Sequence, residues 1–412
     1  MSQNNNLFLT VSEVQRRIIS DIQAVKGFER VDLRHALDRI LAEDVTATFN
    51  TPPCDNSGMD GYAFKSSDIN DQSTLTLKIA GQSFAGHPYS GTVRSGEAIR
   101  IMTGAQVPAD VDTVVMQEHT EKPDDDSITI TTLPKPYANV RKEGDDLKTG
   151  QTFLACGKKL SPADLAFLAT QGIAEVMVSR KLRVAFFSTG DELRSIGETL
   201  GNGEIYDSNR YSLYGLLTRL DIELIDMGVI PDDRQAIENA FSTAASVADA
   251  VITSGGVSVG EADFVKETLE KLGQINFWKI SMKPGKPLAF GTLGDCLFFG
   301  LPGNPVSVIA TFYQFVQPAL KRMQGQSIVL PLTVKAKTTE FLKKRPGRTD
   351  FQRGILEQSE SGELTVKNAG TQASHVLTAM SRANCFIVIP AESSSIEVGE
   401  MVDVQPFEGL VD

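Results

Sequence analysis

The sequence predicts a multidomain α/β-plus-β protein built around a three-layer α/β domain with a mostly parallel sheet. Three observations predict it. At 412 residues the chain has room for several domains of about 100–200 residues each. Between residues 181 and 326, apolar strand-like segments alternate with helical ones, the signature of a parallel sheet covered on both faces. On either side the pattern changes to short strands separated by turns.

Taken in order, Val11, Val14, Ile18, Ile19 and Ile22 recur at helical spacing, with Ser12 as a start cap. Ala36 to Ala42 reads as a short helix. Ser161-Pro162 opens another that runs to about Gly172. These pieces make residues 1–50 and 141–180 a discontinuous helical domain. Residues 51–140 form a β-rich insertion with strands at Thr74–Ala80, Ala98–Met102, Thr113–Gln117 and Ser127–Thr132. In the α/β domain the strands are Val184–Phe187, Glu223–Ile225, Ala250–Thr253, Asn276–Ile280 and Leu297–Phe299. The helices fall near Asn209–Leu220, Arg234–Val247, Phe264–Leu272 and Pro305–Met323. Residues 327–412 read as a small antiparallel β domain with strands at Leu332–Lys337, Phe351–Leu356, Leu364–Lys367, Phe386–Ile389 and Val402–Val404.

A formal net charge of −12 argues against broad binding to nucleic acid or to an acidic membrane, which both need excess positive charge. No apolar run reaches membrane-spanning length, and the first residues, Met1 to Asn6, lack a signal-peptide pattern. Cys54, Cys156, Cys296 and Cys385 are far apart, so a thiolate zinc site or a disulfide framework is not expected; a cytoplasmic location is.

The most informative stretch runs from Asp249 to Phe264, a buried strand, a glycine-rich loop and a helix start. Ser254, Gly255, Gly256, Ser258 and Gly260 offer backbone amides that attract anions. Glu261 and Asp263 at the end of the same loop repel them. Amides and carboxylates together suit a phosphorylated ligand held through a divalent cation. Two other strand ends carry acids, Asp191 and Glu192 after Phe187 and Asp232 and Asp233 after Ile230. Parallel strands bring such ends to one edge, where clustered acids would bind magnesium; helix capping is the plainer alternative for each acid. Lys279, Lys283 and Lys286 could hold an oxyanion as point charges, or form a solvated lysine face. Arg348 and Arg353 could clamp phosphate, or mark a basic loop.

Gly256-Val-Ser-Val-Gly260 matches a hydrolase nucleophile elbow, yet only His375 follows it, in the separate C-terminal region. His35, His87 and His119 have no metal-like spacing. The loop lacks the Gly-Lys-Ser/Thr ending of a P-loop and the glycine pattern of a dinucleotide fold.

Several motifs in register carry a resemblance: Asp55–Ala63 (DNSGMDGYA), Ile99–Gly104 (IRIMTG), Ser188–Glu192 (STGDE), Ile205–Asn209 (IYDSN), Ser254–Asp263 (SGGVSVGEAD), Lys283–Pro287 (KPGKP) and Gly300–Pro305 (GLPGNP). From about residue 10 to 407 the chain resembles the MoeA family of molybdopterin molybdenumtransferases, related to the C-terminal domain of gephyrin. The resemblance implies a C-terminal β-barrel and a homodimer whose site uses both subunits. It implies insertion of molybdenum from molybdate into adenylylated molybdopterin, with Mg2+ assisting and AMP released. Molybdopterin adenylyltransferase would act upstream. Asp232 and Asp263, with Glu192, would hold magnesium or orient water; the glycine loop would meet the adenylate, and Lys279 and Lys283 the molybdate. Asp60 and Thr103 match functional positions of the family's insertion domain, and Arg353 and Ser374 match positions facing the ligand. Gly58 stands where the family has Ala, and Ala373 where Gly is expected.

Overall fold

Apolar strands alternating with amphipathic segments bury most surface as parallel strands with helices on both faces, and residues 181–323 adopt that arrangement. The computed structural model describes residues 8–70, 73–255, 264–327 and 330–407. Its central sheet has the spatial order Glu223–Ile230, Arg183–Thr189, Ala250–Ser254, Cys296–Leu301, Pro287–Leu293, Gln274–Lys279. The first four strands are parallel and the last two antiparallel. Strand Pro287–Leu293 is absent from the sequence expectation, because the Pro/Gly turn before it reads as loop.

Period-two alternation divides the core. Val184, Phe186, Ile252 and Phe299 face the helix Ser208–Thr218 and the long helical stretch 305–323. Ala185, Phe187, Val251 and Phe298 face Arg234–Val247 and Phe264–Leu272. The first helix, Val11–Asp21, is capped by Thr10 rather than Ser12. Its Val14 and Ile18 join the central core instead of a separate helical domain.

A polar tie fixes that docking. The stretch 305–323 is α-helical except for a π turn at Phe312–Val316. Pro318 has no N–H to give the carbonyl four residues back. That carbonyl, of Gln314, accepts from Gln15 Nε2 at 3.0 Å. Gln314 Nε2 in turn donates to Gln405 Oε1 at 2.7 Å, so one residue joins three parts of the chain.

The discontinuous domain is less helical than its periodicity suggests. Pro162–Thr170 has the expected cap, a reciprocal box between Ser161 and Asp164. The expected helix at Ala36–Ala42 is absent. A single 3₁₀ turn at Leu33–His35 ends before Asp38, whose φ is 64°. Ile40 and Leu41 then bridge to Lys159 and Val178. Phe28–Asp32 pairs with Glu175–Ser179, which makes this region mixed.

The insertion is a six-stranded sheet in the order Thr113–Met116, Gly61–Phe64, Glu97–Ile101, Leu75–Ser83, Ser127–Ile130, Thr120–Glu121. Gly61–Phe64 was hidden from sequence reading because all four residues are buried and no polar alternation marks them. In the C-terminal domain, strands Val334–Thr338, Thr349–Gln358, Leu364–Asn368, Cys385–Ile389 and Met401–Pro406 close into a barrel through the pairing of Thr349–Gln358 with Cys385–Ile389. One pair, Val334–Thr338 with Leu364–Asn368, is parallel, so the expected all-antiparallel pattern does not hold. No helix among the described residues is long and apolar enough to cross a membrane.

Gly61 generates a prediction. A Cβ there would stand 1.8 Å from the Val115 carbonyl oxygen, a backbone atom that cannot yield alone. Gly61→Ala should cost about 1–3 kcal/mol, the usual range for overpacking. Denaturant unfolding followed by tyrosine fluorescence should show an earlier first transition.

Candidate active site

Three neighbouring parallel strands end at Thr189, Ser254 and Leu301, the edge where open α/β sheets bind ligands. A cleft of about 1110 Å³ opens there. Its floor is the strand ends and the loop 302–304. Gly255 is required at this floor: its φ is +94°, and a Cβ would stand 2.6 Å from the Thr189 carbonyl oxygen. Asn209 pins the floor together, donating to Ser254 Oγ and Gly303 O, both at 2.7 Å.

The two walls carry opposite charge. On one side stand Glu192 and Asp232. Partial burial, then the nearby carboxylates of Asp191 and Glu192, push the Asp232 carboxyl above its ordinary pKa of 3.8. Among the described residues no basic side chain is paired with Asp232. The other wall belongs to the barrel side. Met282–Lys283 leaves the central domain and pairs in parallel with Thr349–Asp350. This brings Lys283 and Lys286 beside Arg348, Ser374 and His375. Lys283 Nζ lies 3.8 Å from Asp350 Oδ2.

The structure thus brings together Glu192, Asp232, Ser254, Gly255, Lys283 and Ser374. Gly256, Ser258, Gly260 and Asp263 lie outside the described residues. Lys279 ends the strand Gln274–Lys279 and does not line the cleft. Arg353 is a correction. It is 0% exposed in the strand Thr349–Gln358, where its guanidinium donates to the carbonyls of Phe351, Thr371 and Ala373. Burial lowers its pKa to about 10, so it stays charged at neutral pH. It supports the backbone just before Ser374 from beneath and presents no fork to a ligand; nor is it a loop tip. His375, expected to lie apart from the glycine loop in the separate C-terminal region, lines the same cleft. Asp207 and Asn209, which the sequence offers only inside the Ile205–Asn209 motif, also line the cleft; their place between the short strand Ile205–Tyr206 and the helix Ser208–Thr218 is the signal that marks them.

Asp60 and Thr103 do not line this cleft. They meet each other in the insertion domain, where Asp60 Oδ1 accepts from Thr103 N and from Thr103 Oγ1, both at 2.7 Å. Those bonds hold the Asp60 carboxyl below its ordinary pKa. Among the described residues no three His, Cys, Asp or Glu side chains converge as a ready metal cage.

Comparison with known proteins decides the family. Residues 9–172 match the MoeA N-terminal region (domain I and II), residues 185–322 a probable molybdopterin binding domain, and residues 335–407 the MoeA C-terminal region (domain IV). The chain is 47% identical over 404 residues to a molybdopterin molybdenumtransferase of Haemophilus influenzae, covering 98% of this chain and 100% of that one. The chain belongs to the MoeA family. A Nostoc molybdopterin molybdenumtransferase is 36% identical, covering 93% of this chain and 90% of its own. The crystal structure of the molybdopterin biosynthesis MoeA protein from Pyrococcus horikoshii superposes with a TM-score of 0.85 at 29% identity, covering 97% of this chain and 100% of that one. Architecture and family therefore agree over all four parts of this MoeA-family chain.

The electrostatics of Asp232 yield a signed prediction. Its folded pKa is raised, so the native state binds the proton more tightly and stability falls as pH rises through about 3.8 and beyond. Asp232→Asn removes that penalty. The variant should melt slightly higher than the parent at pH 7, and the gain should vanish below pH 3.8; paired thermal melts across pH measure it.

Proposed function

We propose that this chain is a transferase that inserts molybdenum from molybdate into adenylylated molybdopterin, releasing AMP and forming molybdenum cofactor. The observation that carries this reading is one large cleft lined both by acids of the sheet edge and by basic residues of the barrel side. About 1110 Å³ exceeds what a single small ligand fills, and suits an extended pterin nucleotide together with a tetrahedral oxyanion. Lys283, Lys286 and Arg348 supply local positive charge in a protein of net charge −12. With Ser374 they would take the molybdate oxygens as charge-assisted hydrogen-bond donors. Lys279 would add positive charge from the adjoining strand end. The Gly255 amide and the loop after it would meet the phosphates.

The acidic wall fits Mg2+. Burial and then the neighbouring acids Asp191 and Glu192 disfavour the negative charge of Asp232, and no paired base offsets this among the described residues, so a cation there would relieve it. Asp232 and Glu192 would hold the ion together with Asp263, which lies outside the described residues. When bound, magnesium would neutralise phosphate charge. The chain's own part is to position the ligand, with Asp232 orienting the attacking oxygen donor.

The chain would work as a homodimer in which Asp60 and Thr103 of a second copy complete the cleft; the position of this pair away from its own cleft supports that. Molybdopterin adenylyltransferase would supply the adenylylated substrate, in the cytoplasm.

The test is AMP release from adenylylated molybdopterin by purified protein. Release should depend on both molybdate and Mg2+. Lys283→Ala should raise the molybdate concentration for half-maximal rate by about tenfold or more, the loss of one charge-assisted contact. Efficient adenylylation of molybdopterin from ATP, with no molybdate-dependent AMP release, would overturn the reading.

A further inference from the structure

Two residues that line the cleft each hold a buried oxygen with no partner among the described residues, and both oxygens are acceptors. Asp207 is 2% exposed. Its Oδ1 accepts from the Arg210 N–H at 3.0 Å and caps the helix Ser208–Thr218, while Oδ2 meets no donor. Asn209 is 9% exposed. Its Nδ2 donates to the Gly303 carbonyl, which can only accept, so the amide orientation is fixed and Oδ1 is the atom left bare. Both residues line the cleft. Leaving two buried acceptors unpaired is unfavourable, and a ligand that presents adjacent N–H groups removes the penalty.

An aromatic surface adjoins them. Tyr206 lines the same cleft, and its hydroxyl donates to the Glu198 carbonyl at 2.8 Å, which tethers the ring. Leu193 and Ile205 extend the apolar surface. A tethered ring and two unpartnered acceptors lining one cleft match a flat heterocycle with an N–H edge.

We propose that Tyr206, Asp207 and Asn209 recognise the 2-amino-4-oxopyrimidine edge of a pterin and so fix which end of the ligand lies there. This rests on the reading above that a pterin nucleotide is the substrate. The edge of that ring offers a ring N–H and an amino group side by side, two donors for two acceptors. Adenine offers one amino group flanked by ring acceptors, so one acceptor would face another. The adenylate therefore lies away from this end.

Isothermal titration of the full-length protein with 6-hydroxymethylpterin, with 6-hydroxymethyllumazine (oxygen in place of the 2-amino group) and with AMP tests this. The parent protein should prefer the pterin to the lumazine by at least about tenfold. Asp207→Asn, which keeps a good helix cap, should bring that ratio close to one and leave AMP binding unchanged. Tyr206→Leu should weaken both bicyclic ligands and keep the ratio. Equal binding of pterin and lumazine by the parent, or a parallel loss of pterin and AMP in Asp207→Asn, overturns the proposal. Molybdate-dependent AMP release by the parent, measured alongside, separates the two ideas: release without the pterin preference defeats only this inference.

Discussion

Strand Met282–Lys283 belongs by sequence to the α/β domain but pairs with Thr349–Asp350 of the barrel. Thr349 N donates to Ser281 O at 3.0 Å, and Ser281 Oγ to Gly347 O at 2.9 Å, so the junction is continuous backbone and side-chain bonding. A second tie lies opposite, where Val306 N donates to Ser374 O at 3.1 Å. Without these contacts Lys283 and Lys286 would move with one domain and Arg348 and Ser374 with another. Oxyanion recognition tolerates displacements of only about 0.5 Å. The cationic wall therefore exists only because a few residues of backbone leave their own sheet.

Beneath that wall sit two buried ions. Asp350 is 4% exposed, accepts from Gln352 Nε2 at 3.1 Å and lies within reach of Lys283. Arg353, paired with Phe386 in the ladder to Cys385–Ile389, holds three carbonyls. Removing one member of such a set leaves the others desolvated and unpaired, which costs more than the set contributes. That asymmetry explains how an arginine with no access to the cleft still governs it: it fixes the strip from Thr371 to Ala373 that delivers Ser374.

Most of this architecture was legible because its elements carry strong local signals. Arg234–Val247 and Phe264–Leu272 appear at the bounds their periodicity sets, and the five barrel strands lie within a few residues of expectation. The failures have a common cause. Gly61–Phe64 and Pro287–Leu293 are specified by neighbours from elsewhere in the chain, not by their own pattern. At Ala36–Ala42, tertiary bridges took the backbone groups that a helix would have used. The site divides the same way. Glu192, Asp232 and Lys283 were legible because charge at a strand end or a Pro/Gly turn is visible in one dimension. His375, and the burial of Arg353, depend on how the barrel is set against the sheet, which no local window contains.

Seven buried side-chain atoms among the described residues lack a partner, and their distribution is not even. Ser188 and Thr253 sit on the strands that end in the floor, and Asp207 and Asn209 line the cleft itself. Thr311 lies 2.7 Å from where a Cβ of Gly285 would stand, under the lysine turn, and Arg353 lies under Ala373. Only Asn56 is elsewhere, in the insertion. Native interiors leave few such groups, because each is unfavourable to the free protein. The surplus negative charge at Asp232 is unfavourable in the same sense. Local defects that weaken the empty fold have thus collected where two domains meet around one space. A guest that supplies donors at one end and accepts them at the other would satisfy groups that the chain, folded alone, cannot.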